Sequence, residues 1–323
     1  MEILLNSIGW LLSIVTATAN GFVTYVVAKN RRLYSSANWF VLSLAVADFG
    51  VGITVFPLSY FCNYSMACNS RVYMAFFWFF LHSSVTNLST LTWDRYIAIV
   101  QPLNYNISMT ERRTGLVILI AWLIPFANSL SLFVGMYATT SETALKVLRL
   151  AGVSAFDIVF CALLFYAVVR ILIVARAQSH QEAEKAALEL QLSSNVPSKP
   201  PESLGNLRRR RKHNTSRFII ALVVFFLGCY VVVSCLVLCI TFSCEVSAHA
   251  SQLIIVLLVL NSSVNPLVYA FLKSDIKKEI KRLIGRGNKR DQSVYVWYLI
   301  SLVTLSMLEL LFILESIPFY RRR

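Results

Sequence analysis

The sequence predicts an all-α membrane protein: a seven-transmembrane helix bundle with an amphipathic inner-surface helix and an extra C-terminal hydrophobic segment. Three observations predict it. Hydrophobic residues make up 57% of the 323 residues and the mean hydropathy is +0.64, above the range of a soluble chain. Apolar runs of the roughly 20 residues needed to cross a bilayer recur along the chain. The basic residues gather in alternate connections between those runs, as the positive-inside rule requires.

The runs lie near 3–27, 39–61, 72–100, 114–133, 148–174, 218–242 and 251–272, and they define a seven-helix unit over 1–284. The first lacks a basic n-region and a small-residue cleavage site, so it is expected to remain as the first span. The formal charge of +14 would suit nucleic acid if it formed one patch, but it follows the membrane sides instead. With the N-terminus outside, Lys29, Arg31, Arg32, Arg95, Arg112 and Arg113 fall in the first two inner regions. Arg170, Arg176, Lys185, Lys199, Arg208 to Arg211, Lys212 and Arg217 line the third, while Arg71, Lys146 and Arg149 face outward. The expectation is a multi-pass plasma-membrane protein with an outside N-terminus, in contact with membrane lipids and not with nucleic acid.

The third inner loop, 175–217, begins with helix formers over Gln178–Leu190 that extend the fifth helix into the cytosol. Pro197, Pro200 and Pro201 then break regular structure. The run Arg208 to Lys212 attracts anionic headgroups or touches a signalling partner. Residues 273–284 place Ile276, Ile280, Leu283 and Ile284 at helical spacing among charges, which gives the surface helix. Beyond it, 285–323 is a basic linker and an apolar run near Val294–Phe319. Charge flanks that run on both sides and Glu309 interrupts it, so its topology stays open between spanning and interfacial.

Ionisable groups inside or at the edge of a span are costly and mark function. Asp94-Arg95-Tyr96 ends the third run, and Asp48 lies in the middle of the second. Asn20, Ser84, Asn261, Ser262 and Asn265 can reach Asp48 from neighbouring helices, an oxygen-rich set that suits a sodium ion; the alternative is a protonated, hydrogen-bonded acid. Pro266 removes a helical hydrogen bond and Asn265 can bond to the freed backbone, so the seventh helix is expected to bend near Tyr269.

Taken together, these markers resemble the rhodopsin-like family of G-protein-coupled receptors over nearly all of Ile3–Ile284. They are Asn20-Gly21, Leu44-Ala45-Val46-Ala47-Asp48, Asp94-Arg95-Tyr96, Trp122, Tyr166 and Asn265-Pro266-Leu267-Val268-Tyr269, in that order. The resemblance implies a receptor that passes an extracellular ligand signal to a heterotrimeric G protein. It implies that Tyr166 and Tyr269 turn inward to hold Arg95 on activation, that Pro102 sits in the loop touching the G protein, and that Asp48 holds an allosteric sodium ion. No catalytic dyad or metal cluster is visible, so no enzyme activity and no cofactor beyond sodium are expected.

The pattern breaks on the outer side. Tyr230 and Val232 stand where the sixth helix of the family has Trp and Pro, Ile158 replaces the fifth-helix proline, and the acid that often restrains the arginine is absent, with Lys212 near its place. Phe133 to Leu148 contains no cysteine, so the usual disulfide to the third helix cannot form; Cys62 with Cys68, and Cys239 with Cys244, are the candidate local bridges. These losses, with the seventh-helix sequence, look closest to the melanocortin and adenosine receptor branch. Phe77 replaces the amine-binding aspartate, which argues against a small amine anchored there, and Val259 replaces the retinal lysine, which disfavours retinal. The candidate pocket comprises Phe77, Trp78, Asp157 and Tyr230, with His82 as a second polar handle or a satisfied core residue. The rival readings are a non-signalling scaffold or decoy, which the altered sixth helix suggests, and a transporter, which would need charges continuing along one path.

Overall fold

The computed structural model describes residues 2–65, 68–192, 223–235, 237–239, 241–242 and 248–284. In order they form α1 (Glu2–Lys29), a 3-10 turn (Arg31–Leu33), α2 (Ser36–Tyr64), α3 (Ser70–Val100), the short α4 (Tyr105–Ser108), α5 (Glu111–Ala138) and α6 (Glu142–Arg149). A π-helical turn (Leu150–Ser154) leads into α7 (Ala155–Leu192). Next come α8 (Val223–Cys239), α9 (Ala248–Leu272) and α10 (Ser274–Ile284). By length and composition α1, α2, α5 and the continuous run Glu142–Gln178 can each cross a membrane; the apolar stretches of α8 and α9 are shorter. α3 is longer than α1, α2 and α5, but its buried face is lined with His82, Ser83, Ser84, Thr86 and Asn87, which lowers its hydropathy.

Helix ends carry ordinary signals. Asn69 caps α3 by accepting from the backbone N–H of Arg71 and Val72, Thr110 caps α5, and Ser141 caps α6. The fifth-span element starts earlier than the apolar run predicts: the connection after α5 is only Thr139–Ser141, and α6 feeds directly into α7. α7 then continues along the helix-forming sequence to Leu192. Residues 193–217 and 285–323, with the basic run at 208–212 and the C-terminal apolar segment, lie outside the described residues.

Helices in lipid associate through close packing and shared hydrogen bonds, because apolar surface gains nothing by leaving hydrocarbon. Both devices are visible. A Cβ on Gly52 would stand 2.7 Å from the backbone N of Ala17, so glycine there lets α1 and α2 touch backbone to backbone. Prolines inside helices free the carbonyl four residues earlier, and neighbouring helices take these up. Pro125 in α5 frees the Ala121 carbonyl, which accepts from Thr86 Oγ1 of α3 at 2.7 Å. Pro266 in α9 frees the Ser262 carbonyl, which accepts from Asn20 Nδ2 of α1 at 3.2 Å. The sequence assigned that backbone to Asn265. Asn265 is instead drawn to Asp48, a stronger, charge-capable acceptor. The core between these contacts is aliphatic, with Leu12, Phe40, Leu44, Leu88, Leu164 and Val256 all buried.

Candidate functional site

Two polar clusters and one aromatic cluster hold the residues singled out by sequence. The first lies at the end of α3. Arg95 donates from Nε and Nη2 to Asp94 Oδ2 at 2.9 and 2.5 Å, and Tyr105 donates its hydroxyl to Asp94 Oδ1 at 2.9 Å. Both carboxylate oxygens of the fully buried Asp94 are therefore occupied. Tyr105 reaches it because α3 ends at Val100 and an exposed turn through Pro102 returns the chain as α4 beneath the helix end. Ser36 Oγ, donating to the Met109 carbonyl at 3.0 Å, ties this loop to α2. Burial, and then the charge of Asp94, push the Tyr105 phenol up to about 12. It is a donor throughout the physiological range. Tyr96 turns away from the cluster and stacks on Trp93 at 4.9 Å.

Lys273, at the junction of α9 and α10, donates to the Ala37 carbonyl at 2.7 Å and to Asn38 Oδ1 at 2.5 Å. Burial, and the neighbouring Arg95 guanidinium, hold its ammonium down to about 7, with Asp94 and Asp275 pulling the other way. Neither Tyr105 nor Lys273 was picked out from the sequence. A tyrosine ten residues past an arginine and a lysine after an apolar run carry no pattern of their own.

The second cluster surrounds Asp48, which is fully buried. Ser84 Oγ donates to Oδ1 and Asn265 Nδ2 donates to Oδ2, each at 2.6 Å, and the Ser262 hydroxyl approaches the same carboxylate. Asn20 Oδ1 and Asn261 Nδ2 are buried with no hydrogen-bond partner among the described residues. α2, α3 and α9 thus meet at one carboxylate, and α1 joins them through Asn20 Nδ2, which donates to the Ser262 carbonyl. About one turn toward the inner side, Trp122 Nε1 of α5 donates to Ser43 Oγ at 2.9 Å, which donates to Asn87 Oδ1 at 2.6 Å, joining α2, α3 and α5.

The aromatic cluster lies toward the outer end of α3. Phe77 is buried edge-on between Tyr73 and Trp78, Trp78 stacks on His82 at 5.3 Å, and Phe156 covers the other face of His82 at 4.1 Å. Asp157 is buried beside His82, and Tyr230 is buried against Phe226. Cys62 is bonded to Cys68, closing the short turn between α2 and α3; Cys244 lies outside the described residues. Tyr166, expected to turn toward Arg95 on activation, is 53% exposed and lines an outward-facing crevice of about 270 Å³ with Trp93, Thr90 and Phe160. The side chain of Tyr269 is likewise outside the described set.

Comparison with known proteins agrees with this arrangement. The family described as 7 transmembrane receptor (rhodopsin family) matches residues 19–269. The chain is 25% identical over 297 residues to trace amine-associated receptor 9 of Rattus norvegicus, covering 87% of each. It is 26% identical over 314 residues to trace amine-associated receptor 8b of the same species, covering 91% of each. It is also 26% identical over 317 residues to octopamine receptor beta-2R of Chilo suppressalis, covering 85% of this chain and 78% of that one. These relatives do not support the likeness to the melanocortin and adenosine branch; the features behind it are losses, which unrelated branches share by default. The chain belongs to the rhodopsin family of seven-transmembrane receptors and is a G-protein-coupled receptor.

Proposed function

We propose that this receptor sits in the plasma membrane with its N-terminus outside, receives a small organic ligand from the outer side, and activates a heterotrimeric G protein through Arg95. The observation that carries the reading is the arrest of Arg95: among the described residues its guanidinium is held by Asp94, and Asp94 is itself held by Tyr105. Freeing Arg95 breaks one ion pair at the end of α3, and the inner loops beside it carry the positive charge expected of the cytoplasmic side. The nearby relatives are named for trace amines and octopamine. Phe77, edge-on between two rings, offers an amine no carboxylate at its position, so the ligand contact we favour is with the apolar and aromatic surface of Phe77, Trp78 and Tyr230.

The Asp48 carboxylate with the hydroxyls of Ser84 and Ser262 offers hard oxygens of the kind a sodium ion takes, and the unpartnered Asn20 Oδ1 is a further candidate ligand. Those residues would hold it, and its charge would offset the buried carboxylate. Asn265, which now donates to Asp48, would keep α9 against α2 in either case.

The test is Gα nucleotide exchange driven by the full-length receptor in membranes. Arg95→Ala is expected to abolish it while leaving surface expression intact. Exchange equal to that of the wild type would overturn the signalling reading in favour of a receptor-shaped scaffold.

A further inference from the structure

His82 and Asp157 are absorbed by neither the Asp94 switch nor the Asp48 cluster. They approach from α3 and α7, with Nε2 3.7 Å from Oδ1 and both side chains almost completely buried. That gap is too wide for a hydrogen bond. Both atoms lack a partner among the described residues. Two orphaned polar atoms facing one another inside a span require an explanation, since an unpartnered buried polar group costs about 1–3 kcal/mol.

The surrounding contacts fix which of the two can gain or lose a proton. Asn128 Nδ2 of α5 donates to the Gly152 carbonyl at 2.7 Å and lies 3.1 Å from His82 Nδ1. Its first hydrogen is committed to Gly152, so its second points at Nδ1, which must accept. The neutral ring therefore carries its proton on Nε2 and aims it at Asp157. A second ring proton would set N–H against N–H, so His82 stays neutral. Trp78 and Phe156 clamp the ring from both faces. Among the described residues, the other ionisable groups facing Asp157 are Cys161, one turn along α7, and Tyr230 of α8; α5 presents the neutral Asn128. None of them is a cation, and a bare carboxylate in hydrocarbon is the costliest state open to Asp157.

We propose that Asp157 is a proton-binding site within the membrane, completed by the Nε2–H of His82, through which the contact between the third and fifth spans takes up and releases one proton. The step is the addition of a solvent proton to one carboxylate oxygen, giving the neutral acid in the packed state; His82 then donates to the remaining carbonyl oxygen. Release leaves a charged carboxylate met by a single N–H dipole, which loosens the contact. The Gly152 carbonyl that holds Asn128 lies within the π-helical turn at Leu150–Ser154, so this local irregularity is part of the arrangement that fixes the tautomer of His82.

The experiment uses the full-length receptor in lipid nanodiscs with Asp48→Asn, which silences the other mid-span carboxyl among the described residues, and with Glu309→Gln. Infrared spectra over a pH series are expected to show a protonated carboxylic-acid C=O band that fades as pH rises. The folded-to-unfolded ratio should fall with it, by at most tenfold per pH unit for one proton. Adding Asp157→Asn should remove both the band and the slope, and His82→Phe should shift the band frequency. Absence of an acid band in the Asp48→Asn, Glu309→Gln background, or a band or slope that survives Asp157→Asn, overturns the proposal. The spectra of that background decide the matter even if the variant that adds Asp157→Asn does not fold.

Discussion

Removing one oxygen atom from Tyr105 isolates the contribution of the second inner loop to the Asp94 switch. Tyr105→Phe keeps the ring that α4 packs but deletes the hydroxyl donating to Asp94 Oδ1 at 2.9 Å. A hydrogen bond to a charged acceptor is worth about 1.5–3 kcal/mol, and the half-exposed position of Tyr105 places it at the low end, about 1.5 kcal/mol. If the bond exists only while Asp94 is fixed against Arg95, its loss shifts the resting-to-active equilibrium by roughly tenfold, since each 1.4 kcal/mol is a factor of ten. Ligand-free nucleotide exchange on Gα should rise by about that factor at equal receptor number. The effect must run through Asp94, so Tyr105→Phe added to Asp94→Asn should change nothing further. Unchanged exchange in the single variant, or a second tenfold rise in the double, would refute the reasoning.

Three further outcomes are expected. Thermal stability should increase with sodium concentration in the wild type and not in Asp48→Asn; a sodium response that survives the substitution removes the proposed ion site. Because Lys273 holds its proton less tightly in the fold, at about 7, than the 10.5 of a free lysine, the unfolded chain binds the extra proton between those values. Stability should therefore rise with pH from about 7 toward 10, and Lys273→Met should flatten that rise in a melting series. Thr86→Val strands the carbonyl that Pro125 frees and should cost about 1–2 kcal/mol in an unfolding assay. In a Pro125→Ala background the restored amide satisfies that carbonyl, so the cost should shrink.

The bundle was legible in the sequence because bilayer thickness and the price of charge in hydrocarbon leave few arrangements for so many apolar runs. Asp48 and Asp94 stood out for the same reason. What escaped was partner choice. Asn20 and Asn265 were both placed near Asp48, and Asn265 also at the backbone freed by Pro266, but which amide takes the Ser262 carbonyl and which the carboxylate depends on distances set by three helices. Tyr105 and Asn128 were missed because their roles come from what the chain brings opposite them, Asp94 in one case and His82 with Gly152 in the other. The resemblance turns Tyr166 inward on activation; with Arg95 held by Asp94, Tyr166 lines the crevice beside Trp93. The early start of the fifth-span element was hidden because Glu142–Arg149 is amphipathic and reads as a connection by hydropathy.

The π-helical turn at Leu150–Ser154 has a mechanical consequence. It stores one residue more than an α-helical path over the same rise. Were that residue returned to α geometry, the helix below would rotate by about 100° relative to the part above, the angle of one residue in an α-helix. Asp157, Leu164, Val168 and Ile171, all buried on α7, would swing off the bundle together while α6 stayed in register with the outer surface. The fifth span is thus built as two shafts joined by a gear tooth. A twist there needs no proline, and this chain has Ile158 where the family keeps one.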